Sequence, residues 1–172
     1  MDNIVRNSLS FKENAGVAND LYHGTSTAIA QEIVKTGFKA GPPDTSYLGF
    51  GVYFFQSNLK LAKTWATIKA LQDQSGPCVL VATADLGNVW LINPYAERLI
   101  RDLIHKSETE KKRPLMEGQA IELLVSQILP RIGINVDTVK KIIERDDMNI
   151  NVCIRNPEKI MEKSILEETY EK

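Results

Sequence analysis

The densest run of aromatic residues in the chain is Tyr47-Leu48-Gly49-Phe50-Gly51-Val52-Tyr53-Phe54-Phe55. Two glycines flank an aromatic residue ahead of a β-branched and aromatic run, which is typical of a strand that follows a glycine-rich bend. Gly49 and Gly51 weaken a strand whose only task is packing. Glycines combined with aromatics suit a pocket that holds a planar ring between side chains. An aromatic-rich core strand is the plain alternative.

A second informative segment, Asp20-Leu21-Tyr22-His23-Gly24-Thr25, precedes this run. It predicts a short strand that meets a glycine break, and residues 27–36 then have the apolar spacing of a helix that stops at Gly37. A lone histidine at a strand end is most often a half-buried imidazole that bonds a backbone carbonyl. Gly24 adds the possibility of close approach, because glycine lets a flat ligand group come near the backbone.

Apolar spacing predicts the other elements. A helix from Leu59 to about Gln72, capped by Ser57, places several large residues on one face, namely Leu61, Ala62, Trp65, Ile68 and Leu71. Strands are predicted at 78–86, 87–92 and 149–155, helices at 94–104 and 119–129, a solvated charged loop at 106–114 and an ambiguous segment at 136–144. Strands and helices do not alternate regularly, which favours an α+β domain.

Composition excludes several classes of protein. The 172 residues include 21 basic and 22 acidic side chains, for a net charge of −1, and 43% are apolar. These values exclude wholesale disorder and disfavour a protein that holds a long polyanion by bulk charge. The apolar runs fall short of the ~20 residues of a membrane span, and residues 1–14 lack the apolar core of a secretion signal. We therefore expect a cytoplasmic protein with no membrane partner.

The length corresponds to one domain. We predict a polar N-terminal lead at residues 1–18, a single domain at 19–162 and a charged tail at 163–172. Cys78 and Cys153 each lie inside an apolar run, which favours buried free thiols over a disulfide framework. Two histidines and two separated cysteines provide no metal-ligand spacing, so no metal is expected. His105, beside the charged loop, is expected at the surface.

The ordered set of motifs resembles the diphtheria-toxin and poly(ADP-ribose) polymerase branch of the ADP-ribosyltransferases. The order is His-Gly-Thr on a strand, a helix that ends in Gly-Phe, then Gly-Phe-Gly-Val-Tyr-Phe and a helix with Ala62 and Trp65-Ala66. The resemblance is strong over 21–66, weaker over 78–91, and returns at 151–160, which is similar to the closing strand of small bacterial members. It implies an ADP-ribosyltransferase-like domain of split, curved antiparallel β-sheets with flanking helices and NAD in the cleft between them.

The resemblance also implies NAD as co-substrate and assigns its contacts by position. His23 would hydrogen-bond the adenosine ribose, and Gly24 would offer backbone groups to the nicotinamide amide. Tyr53 would stack on the nicotinamide ring, Thr25 would lie beside the ribose, and Gly51 belongs to the same cofactor-binding set. Loss of nicotinamide leaves a cationic, oxocarbenium-like sugar, so such a site must hold the leaving ring and tolerate positive charge.

One family element, a late-strand glutamate that steadies this cation, is absent. The matching residue is Asn151, or Asn149 two residues earlier on the same strand face. Asparagine accepts a hydrogen bond but brings no charge. We expect Asn151 to complete the catalytic set with His23 and Tyr53, because alternation along the strand directs it toward the cleft. Three carboxylates are candidate replacements, each more often a solvated surface group: Glu117, Glu122 and Glu144.

The leading functional hypothesis is an NAD-dependent mono-ADP-ribosyltransferase, such as a bacterial toxin or effector. Its partners would be a macromolecular acceptor, protein or nucleic acid, and a neutralising antitoxin. The missing glutamate supports an alternative, an NAD-binding pseudoenzyme or interaction module. An RNA 2′-phosphotransferase-like enzyme ranks last, because no second histidine or arginine stands beside the first motif strands. Lys111-Lys112-Arg113 is the only dense basic cluster, which predicts weak binding to long nucleic acid.

Overall fold

A computed structural model describes residues 7–41, 47–111, 113–143 and 149–166. Glu144, the first six residues of the predicted lead and the last six of the predicted tail lie outside the described residues.

The described residues form eight strands and four α-helices. The strands are β1 (Phe11–Lys12), β2 (Val17–Ser26), β3 (Val52–Gln56), β4 (Pro77–Asp85), β5 (Val89–Ile92), β6 (Thr138–Ile142), β7 (Ile150–Ile154) and β8 (Ile160–Ile165). The α-helices are α1 (Thr27–Thr36), α2 (Leu59–Asp73), α3 (Pro94–Lys111) and α4 (Glu117–Leu123). A π-helical turn (Leu124–Ile128) and a 3₁₀ turn (Leu129–Ile132) extend α4, and a further 3₁₀ turn (Pro157–Lys159) precedes β8.

The strands form one open eight-stranded sheet in the order β1-β5-β6-β7-β3-β2-β4-β8. The mixed α+β class is confirmed. The prediction of separate, wholly antiparallel sheets is wrong as stated, because hydrogen-bonded pairing runs from β1 to β8 without a break and β5 pairs with β6 in parallel. Parallel neighbours require a long crossover, and the segment that contains α3 and α4 provides it.

The pairing between β2 and β3 is short. Only two residue pairs join these strands, Leu21 with Gln56 and Tyr22 with Phe55. On its other edge, β2 pairs with β4 from Val17 to Ser26. The strands β2 and β3 therefore separate beyond Tyr22, and we call this opening the seam.

Helices cover both faces of the sheet. Helix α1 packs through Ile33 on a core that contains Phe54 and Val152, whereas α3 and α4 pack on a core around Trp90 and Cys153. Cross-strand pairing of Phe55 with Asn151 and of Asn151 with Lys141 puts these three residues on the face of β3, β7 and β6 opposite to Val152. Helix α2 packs against Phe55, on the same face. The seam between β2 and β3 thus lies in a part of the sheet that has helices on both of its faces.

The predicted helix at residues 59–72 is present, but it packs through a different face. Its buried residues are Ala62, Ala66 and Ala70, whereas the large apolar residues Trp65, Ile68 and Leu71 are exposed. The physical reason is distance: α2 lies so close to the backbone of β2 that only small side chains fit between them.

Two predicted boundaries also shift. Residues 106–111 are helical rather than a loop, because α3 continues to Lys111 with ion pairs one turn apart such as Lys106–Glu110, at 3.8 Å. The sheet includes residues outside 19–162: β1 lies within the predicted lead, and β8 runs to Ile165 as the outer partner of β4. Cys78 and Cys153 are free thiols, but only Cys153 is buried as predicted, whereas Cys78 is half-buried near the start of β4. His105 is exposed as expected. Within the described ranges, no helix combines the length and apolar character needed to cross a membrane.

Candidate functional site

A cavity of about 520 Å³ lies at the seam. Aromatic side chains and a few polar groups form most of its wall, which is the usual make-up of a small-molecule site. The lining residues are Tyr22, His23, Gly24, Tyr47, Tyr53, Phe54, Phe55, Trp65, Lys69, Ile143, Asn149 and Asn151. A groove of similar volume, about 530 Å³, follows β4 and β8 but has no aromatic residue in its lining. The seam cavity is therefore distinguished by the aromatic residues in its lining and not by its volume.

His23 is held in one orientation and one tautomer. Its Nδ1–H donates to the carbonyl oxygen of Tyr53 over 2.7 Å, and a carbonyl can only accept, so Nε2 of the neutral ring is an acceptor. The rings of Phe38 and Phe54 contact the imidazole edge to face, with centroids 5.2 and 5.8 Å away. Burial lowers the pKa of His23 below 6.5. The hydrogen bond to the Tyr53 carbonyl raises the pKa in part, and the nearby positive charge of Lys69 lowers it further. The ring is therefore neutral at pH 7 and can accept a hydrogen bond from a hydroxyl group.

The ring of Tyr53 is fixed by its hydroxyl group. This hydroxyl accepts from the Leu48 N–H over 3.0 Å and donates to the Gly49 carbonyl over 2.5 Å. The ring of Tyr47 lies beside it, with centroids 5.6 Å apart. Because both its backbone and its hydroxyl are anchored, Tyr53 presents a rigid aromatic surface at the cavity wall.

Gly24 is required by the packing of α2 rather than by a ligand. A Cβ on this residue would overlap the backbone oxygen of Ala62 and would lie 2.8 Å from the backbone nitrogen of Ala66. The interpretation that glycine here makes room for a ligand is therefore replaced by a packing reason.

The backbone of Gly24 nevertheless faces the seam. The Ser57 N–H donates to the Asp20 carbonyl across β3 and β2, so Asp20, Tyr22 and Gly24 direct their backbone groups toward β3. A continued ladder would set Gly24 opposite Tyr53, but described pairing ends at Tyr22, and His23 takes the Tyr53 carbonyl instead. Among the described residues, the ladder between β2 and β3 therefore stops short of Gly24, whose backbone groups face the seam.

Asn151 is buried and lines the seam cavity together with Asn149. Its Nδ2 donates to the Asn149 Oδ1 over 2.8 Å, which leaves the Asn151 Oδ1 to accept a hydrogen bond. Burial does not alternate along β7, since Val152, Cys153 and Ile154 are buried as well. Both faces of β7 are covered by other elements, so burial does not distinguish them. Asn151 lines the cavity because the cavity opens on the face of the sheet that Asn151 shares with Phe55.

Glu122 is held away from the cavity as part of a clamp. Its carboxylate accepts from both terminal nitrogens of Arg155, at 2.7 and 2.8 Å, and from the Phe50 N–H at 3.0 Å. Burial raises the pKa of Glu122, but these bonds and the Arg155 charge outweigh it, so the pKa lies below 4.5. We call this unit the Glu122–Arg155 clamp. It fixes the segment at Gly49 and Phe50, which in turn holds the hydroxyl of Tyr53.

Glu117 does not line the seam cavity. Glu117 forms an ion pair with Lys141 at 2.8 Å. Among the described residues that line the seam cavity, neither Glu117 nor Glu122 occurs, and Glu144 lies outside the described part of the chain.

Two residues assigned to NAD lie elsewhere. Thr25 is buried and is not among the described lining residues of the seam cavity. Gly51 lines an adjoining cavity of about 330 Å³, which shares His23 and Tyr53 with the first. A Cβ on Gly51 would lie 2.5 Å from the Cys153 Sγ, so this glycine is needed for packing on β7. The two cavities share His23 and Tyr53 in their linings.

Sequence reasoning assigned no site role to two of the lining residues, Trp65 and Lys69. Trp65 lies in the segment that carries the family resemblance, but helical spacing assigned it to the packed face of α2. The ammonium group of Lys69 lies 5.7 Å from the Trp65 ring centroid, a cation–π arrangement. One sequence signal could have identified Trp65 as a lining residue. The alanines at 62, 66 and 70 also lie on one face of the helix, and that face could have been predicted to pack on the sheet instead of the face with Trp65.

Comparison of the sequence with protein-family models and with curated proteins finds no match. Within the described ranges, no group of three or more His, Cys, Asp and Glu side chains could hold a metal ion.

Proposed function

We propose that the protein is an NAD-dependent mono-ADP-ribosyltransferase that moves ADP-ribose from NAD to a macromolecular acceptor. The observation that carries this proposal is the convergence at the seam of a neutral histidine acceptor, a glycine strand edge, a rigid tyrosine ring and a buried asparagine. Each of these groups suits one part of NAD. The two adjoining cavities suit a ligand with two ring systems joined by a flexible linker.

The residues would act on bound NAD by holding it. The backbone N–H and carbonyl of Gly24 match the donor and acceptor of a carboxamide, and the rigid ring of Tyr53 offers a stacking surface for the attached pyridine. The Nε2 of His23 accepts from a ribose hydroxyl. Fixing both halves of the molecule orients the bond between the ribose and nicotinamide for cleavage.

In the reaction, the C1′–nitrogen bond breaks and its electron pair leaves with nicotinamide. An acceptor nucleophile then donates a pair to C1′ and loses a proton. The Asn151 Oδ1 supports the positive charge on the ribose through a hydrogen bond to its hydroxyl. This support is neutral, so we expect slow transfer of a single ADP-ribose.

One observation favours a second function, an NAD-binding pseudoenzyme. The described lining of the seam cavity includes no carboxylate, and Lys69 is its only charged side chain. Such a site could bind NAD without sufficient stabilisation of the ribose cation.

The deciding experiment measures NAD binding by calorimetry and nicotinamide release by chromatography, with and without cell extract. Release that depends on Asn151, with label from NAD on a macromolecule, supports the transferase. Binding without release supports the pseudoenzyme. Asn151→Asp, which adds a charge without changing size, should raise the release rate in either case. Absence of NAD binding at millimolar concentration would contradict both functions.

A further inference from the structure

Helix α2 carries a row of exposed apolar side chains. Trp65, Ile68 and Leu71 are 45%, 41% and 78% exposed. Their spacing of three residues puts them along one side of the helix. We call these three residues the α2 stripe.

The stripe is a consequence of how α2 packs. Ala62, Ala66 and Ala70 fill the narrow space above β2, where a single Cβ on Gly24 would already collide with the helix. The close approach of the helix backbone to Gly24 explains why this face carries alanine, while the large residues of the helix face outward. A contiguous exposed apolar row of this kind marks a site of interaction.

The charges on α2 indicate what the stripe would contact. The helix carries Lys60, Lys63 and Lys69, and its only acidic residue, Asp73, accepts a hydrogen bond from Ser26 at 2.7 Å. A second copy of the same face would oppose lysine with lysine, which is unfavourable. A partner with acidic residues beside an aliphatic row is complementary in both charge and polarity.

The aliphatic members of the stripe favour a protein over a nucleic acid. Single-stranded nucleic acid is held by aromatic stacking and a basic groove. Ile68 and Leu71 cannot stack on bases as aromatic side chains do, and the chain has a net charge of −1.

The stripe is continuous with the seam cavity, because Trp65 belongs to both. We infer that the α2 stripe is the docking surface for a protein acceptor, which contributes an amphipathic helix whose aliphatic row is flanked by Asp and Glu. This inference rests on the proposed transferase function. A helix laid along Trp65, Ile68 and Leu71 borders the cavity mouth, where a nucleophile of the acceptor can reach the ribose.

The test uses tryptophan fluorescence without NAD. The chain has two tryptophans and Trp90 is fully buried, so a change in emission reports on Trp65. The probes are two tryptophan-free helical peptides of about 20 residues, with one leucine row and either Glu or Lys beside it. A third probe is an oligothymidine longer than the ~4–16 nucleotides of a single-strand site.

The acidic peptide is expected to bind saturably, and the basic peptide and oligothymidine at least about tenfold more weakly. Leu71→Glu should weaken the acidic peptide at least about tenfold, because it removes an apolar contact and adds a like charge. Glutamate is a good helix former, and a melting curve checks the fold. Met161→Glu, a matched change at an exposed residue of β8, should leave binding unchanged.

Equal binding of all three probes, or no effect of Leu71→Glu, would overturn the docking surface. The acidic peptide should also reduce transfer of label from NAD to extract proteins. Binding without such competition would show that the stripe does not receive the acceptor. Because the fluorescence assay contains no NAD, its failure leaves the transferase proposal standing. Absence of nicotinamide release together with saturable peptide binding would refute the transferase and the acceptor role of the stripe, and would leave the stripe as a peptide-binding surface.

Discussion

Asn151 and Glu122 both qualify by residue type to steady a cationic ribose, yet they lie in opposite surroundings. Asn151 is neutral, buried and lines the seam cavity, with its Oδ1 left to accept. Glu122 carries the charge that the reaction favours, but Arg155 and the Phe50 N–H already occupy both of its oxygens. The comparison teaches that a residue can stabilise the ribose cation only if one of its oxygens faces the cavity without another partner. A negative charge alone is not sufficient.

The clamp also reaches the site indirectly. Glu122 fixes Phe50, and the neighbouring Gly49 accepts from the hydroxyl of Tyr53. Glu122 is thus a positioning residue for an aromatic wall, whereas Asn151 is a candidate for direct contact. Substitution of each residue in turn separates these two roles.

The largest expected effect is that of Asn151→Ala on turnover. Removing a well-placed hydrogen bond to a transition-state charge typically lowers a rate ~10²–10³-fold. We expect a loss of this order in nicotinamide release, measured by chromatography at saturating NAD. Glu117→Gln is the matched control and should retain the wild-type rate, because Glu117 pairs with Lys141 outside the described cavity lining. A normal rate in Asn151→Ala would place the supporting group elsewhere.

The second prediction concerns stability. Glu122→Gln leaves the Arg155 guanidinium without its anion, and the two side chains are only 23% and 17% exposed. Breaking a buried pair costs ~3–5 kcal/mol, and partial exposure reduces this to roughly 1–3 kcal/mol. The melting temperature should fall by several degrees, with a smaller effect on nicotinamide release than that of Asn151→Ala.

The control for the clamp is Glu108→Gln, which removes an exposed pair with His105 and should change the melting temperature very little. If Glu122→Gln abolishes turnover while the protein keeps its wild-type melting temperature, Glu122 has a direct chemical role and the comparison fails.

The third prediction concerns Tyr53, the aromatic part of the cavity wall that the Glu122–Arg155 clamp positions. Tyr53→Ala removes the stacking surface, and aromatic stacking contributes ~0.5–1.5 kcal/mol beyond burial, so NAD affinity should fall about tenfold by calorimetry. Tyr53→Phe keeps the ring but loses the bonds to Leu48 and Gly49. It should bind NAD more tightly than Tyr53→Ala. If Tyr53→Ala binds NAD as tightly as wild type and has a normal melting curve, NAD does not bind in this cavity.

Local features of the fold could be predicted from the sequence. The helix at residues 27–36 is found with the predicted bounds, because Ser26 caps it and Gly37, at a φ of 90°, ends it. The strands at His23 and at Tyr53 follow from residue type and neighbouring glycines. These signals act over a few residues and do not depend on distant partners.

Features set by distant partners could not be predicted. The packed face of α2 depends on its closeness to Gly24, and the fate of Glu122 depends on Arg155, which lies 33 residues away in the chain. The parallel pairing of β5 with β6 likewise depends on the path of the intervening helices. In each case the local pattern fits two arrangements and tertiary packing selects one.

The fourth prediction concerns His23, whose pKa is lowered below 6.5 by burial. Protonation of Nε2 replaces the acceptor with a donor, so NAD affinity should decline as the pH falls below 6.5. The loss of one hydrogen bond amounts to roughly fivefold. Affinity measured by calorimetry should be level from pH 7 to 8, and His23→Gln should show no such decline in acid. A midpoint above pH 6.5 would contradict the lowered pKa of His23.

The smallest expected effect is the acid dependence of the clamp. The folded-state pKa of Glu122 lies below its ordinary value of 4.5, so the pair stabilises the protein fully above pH 4.5. This stabilisation is lost as the pH falls from 4.5 through the lower folded-state value, because the protonated carboxyl group no longer pairs with Arg155. Protonated Glu122 resembles glutamine in shape and charge, so the melting temperatures of wild type and Glu122→Gln should converge in acid. A difference that stays constant from pH 6 to 3 would show that the clamp stabilises the fold by packing and not by charge.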